Sequence, residues 1–165
     1  MTLAVTTLAL GTGAVIDALT RRIPNVLTLA TAALGVMLAA SGITHVSVAQ
    51  SLLGFLLGML LMLPAHLLGA TGAGDVKLLG AAGAILGVQR VPVAFVYMAI
   101  AGGLLAVLVA LRRGRLADTL RGAALVVAHP RAGRAAIEKR GREDFHFFPY
   151  GPAIAIGCVL AALGI

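Results

Sequence analysis

Val48-Ala49-Gln50-Ser51-Leu52-Leu53-Gly54-Phe55-Leu56-Leu57-Gly58-Met59-Leu60-Leu61-Met62-Leu63-Pro64-Ala65-His66-Leu67-Leu68 runs into Gly69-Ala70-Thr71-Gly72-Ala73-Gly74-Asp75, and Val76 to Val88 then resumes the apolar pattern. The first of these runs contains no charged residue and has the length of about 20 residues that a membrane-spanning helix needs. A glycine-rich break ending in a carboxylate separates it from the next apolar run. Irregular backbone at membrane depth is tolerated only where protein or a water-filled cavity surrounds it, so the break around Asp75 is where a wet cleft is expected.

The same pattern extends in both directions. Upstream, Leu3 to Ile16 is apolar and ends at Asp17. It lacks the basic n-region of a secretory signal peptide and reads as a first span. Thr20-Arg21-Arg22-Ile23-Pro24-Asn25 is a polar stretch whose Pro24 and Asn25 suit a helix start, and Val26 to Ala40 forms a second span. Downstream, Gln89-Arg90-Val91-Pro92 marks a turn and Val93 to Leu111 is a fifth span. Residues 112–144 are polar and basic, and Phe145 to Ile165 is a sixth span broken early by Pro149, Gly151 and Pro152.

Composition agrees with this reading. Of the 165 residues, 60% are apolar and 12% charged, against roughly 45–50% and about 25% in average soluble domains. Disordered chains are apolar-poor and charge-rich, so disorder is excluded. The expected fold is all-α, a single polytopic membrane unit over residues 1–165 with about six transmembrane helices.

The net charge of +7 follows the rule that membrane proteins keep Lys and Arg on the cytoplasmic side. Arg21 and Arg22, Lys77 at the mouth of the fourth span, and nine residues between Arg112 and Arg142 make up twelve of the thirteen basic residues. All twelve fall on one side of a six-span layout, and only Arg90 falls on the other. Both termini are therefore expected outside, with the basic loops in the cytoplasm. No Trp and two Tyr leave no stacking platform for bases, so nucleic acid is not an expected partner. Within the basic loop, Leu116, Leu120, Ala124 and Val127 recur at helical spacing among Arg112, Arg115 and Arg121. That pattern fits an interfacial helix on anionic lipid, and it equally fits a solvated loop obeying the charge rule.

Asp118, Glu138, Glu143 and Asp144 lie in the basic loop, which leaves Asp17 and Asp75 as the acids at the edges of apolar spans. A carboxylate at membrane depth costs about 2.5–3.5 kcal/mol on insertion scales, which makes both functional candidates. In the derived topology both sit at cytoplasmic span ends. Two carboxylates brought close together do not both ionise comfortably, so such a pair holds one proton. The ionised member takes a proton from water while the protonated one hydrogen-bonds a peptide carbonyl. Each acid also has a plainer reading. Asp75 stands where it could N-cap the fourth helix, and Asp17 where it could pair with Arg21 or Arg22. Gly72 and Gly74 lack Cβ atoms and let backbone approach a substrate strand or a neighbouring helix closely.

Around these acids, Lys77 reads as a membrane-edge anchor or as a contact to substrate or Asp75, and Asn25 as a helix cap or a site hydrogen-bonder. His66 is a polar neighbour of the glycine break. His45, His129 and His146 show no metal-ligand spacing, and no nucleophile stands on a tight turn, so neither a metal nor any other cofactor is expected. Cys158, the single cysteine, excludes an intrachain disulfide or a CxxC zinc site and reads as a small buried side chain. A proton- or cation-coupled transporter would use the same acids but is expected to hold them near the bilayer midplane within an inverted repeat. A non-catalytic membrane scaffold in which the acids are structural is a third reading.

Gly72-Ala73-Gly74-Asp75-Val76-Lys77-Leu78-Leu79 carries a GxGD signature, Asp17 is followed by Arg22-Ile23-Pro24-Asn25, and Phe148-Pro149-Tyr150-Gly151-Pro152 opens the last apolar run. Together these segments resemble the type IV prepilin peptidases, in particular the short forms serving Flp/Tad-type pili. The resemblance covers nearly the whole chain. Presenilin-like enzymes also use GxGD, but their first aspartate lies in a Tyr-Asp motif that Ile16-Asp17 does not reproduce.

The resemblance implies an aspartic endopeptidase whose catalytic pair is Asp17 and Asp75, cutting leaders from prepilins or pseudopilins at the cytoplasmic face of the cytoplasmic membrane. Gly72, Gly74, Lys77, Asn25, Pro149 and Gly151 are then expected to shape the site or contact substrate. Long members also N-methylate the new terminus and carry a cysteine-rich cytoplasmic loop. The short forms lack that region, so cleavage without methylation is expected.

The topology has a direct check. Single cysteines at Ser41 or Gly114, in a Cys158→Ala background, should label from opposite faces of the membrane in intact cells. Labelling of both from one face overturns the six-span layout.

Overall fold

In the computed structural model of the chain, residues 2–20, 24–68, 71–112 and 150–164 are described, with isolated positions between 114 and 128. Six helices carry the four continuous stretches: α1 (Thr2–Thr20), α2 (Asn25–Ala40), α3 (Val48–Leu67), α4 (Ala73–Leu86), α5 (Val91–Arg112) and α6 (Tyr150–Leu163). Among the described residues there is no strand. Helices α3 and α5 are long and apolar enough to cross a membrane, and α2 and α6 are shorter apolar helices. In the basic segment 112–144 Leu116, Leu120 and Ala124 are helical, as the spacing predicts, while Val127, most of the remaining segment and Pro149 lie outside the described residues.

The start of each helix follows from local chemistry. Ser47 caps α3 through a reciprocal pair, its hydroxyl accepting from Gln50 N and its own N–H donating to Gln50 Oε1. Pro24 precedes α2 in extended conformation. Asn25 is then the first helical residue, and α2 has no side-chain cap, so the expected capping role of Asn25 is not the one observed. Helix α4 begins at Ala73 instead of Val76. Only Gly72 of the two motif glycines is extended (φ −77°, ψ 154°), and Gly74 is already helical. The backbone break is shorter than the glycine content suggests, because Gly72 as N-cap needs one extended residue to start the helix.

Helix α4 is the centre of the bundle. From Asp75 to Leu86 every residue except Lys77 is buried. Helix α3 packs along it, α2 covers another side, and α1 and α6 close the remainder, while α5 packs chiefly on α6. The buried core joins Leu10 of α1, Met62 of α3, Val76, Leu78, Leu79, Ala82 and Leu86 of α4, Ala94 and Met98 of α5, and Ile154 and Cys158 of α6.

Close approach, not bulk, holds this arrangement. A Cβ on Gly54 of α3 would collide with the carbonyl oxygen of Gly83 in α4, and one on Gly83 with that of Gly54. A Cβ on Gly58 would lie 2.6 Å from Leu79 O, and one on Gly35 of α2 2.7 Å from the Ala84 carbonyl carbon. On the far side, a Cβ on Gly157 of α6 would lie 2.6 Å from Ala94 O. In lipid no hydrophobic force distinguishes a helix from its apolar surroundings, so association rests on such backbone contact and on interhelical hydrogen bonds. Ser51 Oγ supplies one, donating 2.7 Å to Ala84 O in the buried interface. Val88 N donates to Gln50 O at the end of α4, where Gly87 leaves the helix at φ 77°.

Gly83→Ala is expected to force α3 and α4 apart and to cost about 1–3 kcal/mol. Thermal unfolding in detergent should show a lowered Tm, whereas Gly11→Ala, with open space where its Cβ would go, should not lower Tm.

Candidate active site

One end of the bundle gathers the polar groups. Asp17 stands in the last turn of α1, and Asp75 in the first turn of α4. The two come from chain segments far apart in sequence, yet both are buried, at 6% and 8% exposure, and their carboxyls lie within Coulombic reach of each other. The contact between α1 and α4 is built lower down by Leu78, whose Cδ1 would sit 3.3 Å from a Cβ on Gly13. The missing side chain at Gly13 lets the two helices close on one another beneath the acids.

Each carboxylate accepts a backbone hydrogen bond at a helix N-terminus. Asp75 Oδ2 accepts from Gly72 N at 3.0 Å. Asp75 is the third residue of α4, not its N-cap, and its carboxylate supplies the acidic half of a capping box that glycine cannot reciprocate. Asp17 Oδ2 accepts from Gly151 N, the second residue of α6, at 2.9 Å in buried surroundings. Orphan N–H groups and the positive end of the helix dipole favour an anion at such positions. Arg21 and Arg22, the alternative partners of Asp17, lie outside the described residues.

Two further contacts frame this end. Lys77 Nζ, exposed at the start of the second turn of α4, donates 2.9 Å to Asn25 Oδ1 at the start of α2. The Lys-Asn pair therefore ties the Pro24-Asn25 segment to the GxGD helix. His66, in the last turn of α3, lies 3.0 Å through Nδ1 from Thr71 O and within Coulombic reach of Asp75. Asp17, Asn25, Gly72, Gly74, Asp75, Lys77 and Gly151 thus belong to one end of the bundle, and His66 joins them.

Two residues escaped the sequence reading. Thr71 is 5% exposed, and its Oγ1 finds no partner among the described residues. Tyr150 opens α6, its ring beside Gly102 of α5, and lies within Coulombic reach of Asp75. Neither carried a signal in the sequence beyond adjacency to a motif. Among the described residues, no three His, Cys, Asp or Glu side chains cluster as a metal site would require.

The arrangement offers two carboxyls, each with one oxygen fixed by a backbone N–H, at the mouth of an apolar bundle. Such a pair is suited to general acid–base chemistry on a bond brought between the acids. No curated protein and no solved structure matches the chain significantly. The family model described as type IV leader peptidase matches residues 4–107, a stretch that holds both aspartates, the Pro24-Asn25 segment and the GxGD motif. On that match the chain belongs to the type IV leader peptidase family, whose members are peptidases of the membrane.

Proposed function

We propose that the protein is an aspartic endopeptidase that removes the leader from Flp/Tad-type prepilins, with Asp17 and Asp75 as its catalytic pair. The observation that carries this reading is the meeting of two buried carboxylates from α1 and α4 at one end of the bundle, each anchored through Oδ2. The second oxygen of each acid is then proposed to face a water and a substrate carbonyl.

In the proposed reaction the ionised carboxylate removes a proton from water as its oxygen attacks the scissile carbonyl carbon. The protonated partner hydrogen-bonds the carbonyl oxygen and stabilises the charge that develops there. Collapse of the tetrahedral intermediate breaks the C–N bond, and a proton passes to the departing amine. The products are the leader carboxylate and a free pilin amino terminus.

The position of the acids supports a peptidase over a transporter, since Asp17 lies in the last turn of α1 and Asp75 in the first turn of α4, whereas a transport site is expected near the bilayer midplane. The six helices are proposed to span the membrane with both termini outside, which puts the acids and Lys77 at the cytoplasmic face. Residues 112–144 then lie against anionic headgroups on the same side. Lys77 and Asn25, joined at the rim, are proposed to meet the substrate backbone as it enters.

The test is leader removal from a Flp-type prepilin by the purified protein in detergent or lipid, read by mass. Asp17→Asn and Asp75→Asn should each abolish nearly all cleavage at unchanged membrane levels, because Asn keeps the shape of Asp but cannot ionise. The double variant should be little worse than either single one, since residues acting as a unit are non-additive. Near-normal cleavage by either single variant refutes the pair. The released pilin should carry an unmodified amino terminus, and a gain of one methyl group from this protein and a methyl donor refutes cleavage without methylation.

A further inference from the structure

The hydrogen bond between Gly151 and Asp17 joins two helices from opposite ends of the sequence, and Gly151 lies beyond the residues matched by the family model. The first N–H groups of any helix lack intrahelical partners, and a preceding Ser, Thr, Asp or Asn usually supplies one. In α6 the preceding residue is Pro149, which has no side-chain oxygen, and Pro152 in the first turn has no N–H. The donor at Gly151 is satisfied instead by a carboxylate from α1, at 2.9 Å and out of solvent.

The same glycine forms the wall behind that carboxylate. A Cβ at position 151 would lie 2.8 Å from both Asp17 Cβ and Asp17 Oδ2 and 3.1 Å from Cγ. Real Cβ atoms do not approach so closely, so any side chain here displaces the carboxyl group. Glycine is otherwise a poor residue for a helical position, less favourable than alanine by about 0.8–1.0 kcal/mol. Its presence in the first turn of α6 runs against local propensity, and the space taken by Asp17 accounts for it.

We propose that Gly151 is the positioning residue of Asp17: its N–H holds Oδ2, and its missing side chain leaves the room in which the carboxyl group takes its working orientation. This inference rests on the peptidase reading of Asp17. It also gives Asp17 a second duty as the N-terminal cap of α6, supplied from another helix.

Gly151→Ala is the decisive variant, since alanine favours the helix and harms only the Asp17 contact. With a Flp-type prepilin as substrate, kcat should fall by about ten- to a hundred-fold with KM changed less than about two-fold, the split expected when a reacting group is displaced and binding is not. Gly103→Ala, with open space at its Cβ on neighbouring α5, should cleave normally. Wild-type kcat in Gly151→Ala, with Asp17→Asn inactive, overturns the positioning role and leaves the peptidase reading intact. Activity in Asp17→Asn refutes the peptidase reading itself.

If Gly151→Ala does not insert, the capping duty decides the matter through stability. Asparagine at 17 retains an acceptor oxygen for Gly151 N–H and alanine does not. Asp17→Ala should therefore melt about 2–4 °C below Asp17→Asn. Equal Tm values overturn the proposal.

Discussion

Helix α4 has room for its neighbours only because side chains are missing where backbones meet. The pairs Gly54–Gly83, Gly58–Leu79 and Gly35–Ala84 bring α3 and α2 against α4 at distances that a single methyl group would forbid. The polar end is built on the helix that these contacts surround. Asp75 stands in the first turn of α4, Lys77 reaches Asn25 from its second turn, and His66 of α3 meets Thr71 just ahead of the motif.

The second constraint is that polar groups inside an apolar bundle must find partners within it. The chain answers this largely with helix termini. Asp75 accepts from Gly72 N, and Asp17 from Gly151 N. At the other end of α6, Arg90 donates to Ala162 O at 3.4 Å. Helix α6 therefore carries a carboxylate from α1 at its positive end and a guanidinium from the turn before α5 at its negative end, both favourable to the dipole. The same contacts that satisfy α6 hold one of the two central acids. Stability of the bundle and orientation of the acid are one interaction seen from two sides.

Much of this was legible without coordinates, and for identifiable reasons. Helices in an apolar chain announce themselves by length and by the polar turns between them, so the six helical segments were marked to within a few residues. Pro24 acts locally, within one turn, and its effect appears where the sequence puts it. Asp17 and Asp75 stood out because charge in an apolar run is rare, and the motifs around them carry the family. Position within a turn was harder to read. Asn25 looked like a cap and instead reaches Lys77, a residue 52 positions away. Gly74 looked like part of an extended break and is helical, because one extended residue at Gly72 is enough to begin α4.

The sequence by itself determined the class of molecule, the order of its helices, the family and the two carboxylates worth watching. All of these follow from composition and from patterns confined to one segment. Only the tertiary structure decided which partners those carboxylates have. The N–H that holds Asp17 belongs to a glycine 134 positions later, and the buried hydroxyl of Thr71 stands out only once its surroundings are known. Neither is a property of a residue type or a spacing. A backbone donor is present at every residue except proline, and what distinguishes Gly151 is the helix that packs against it.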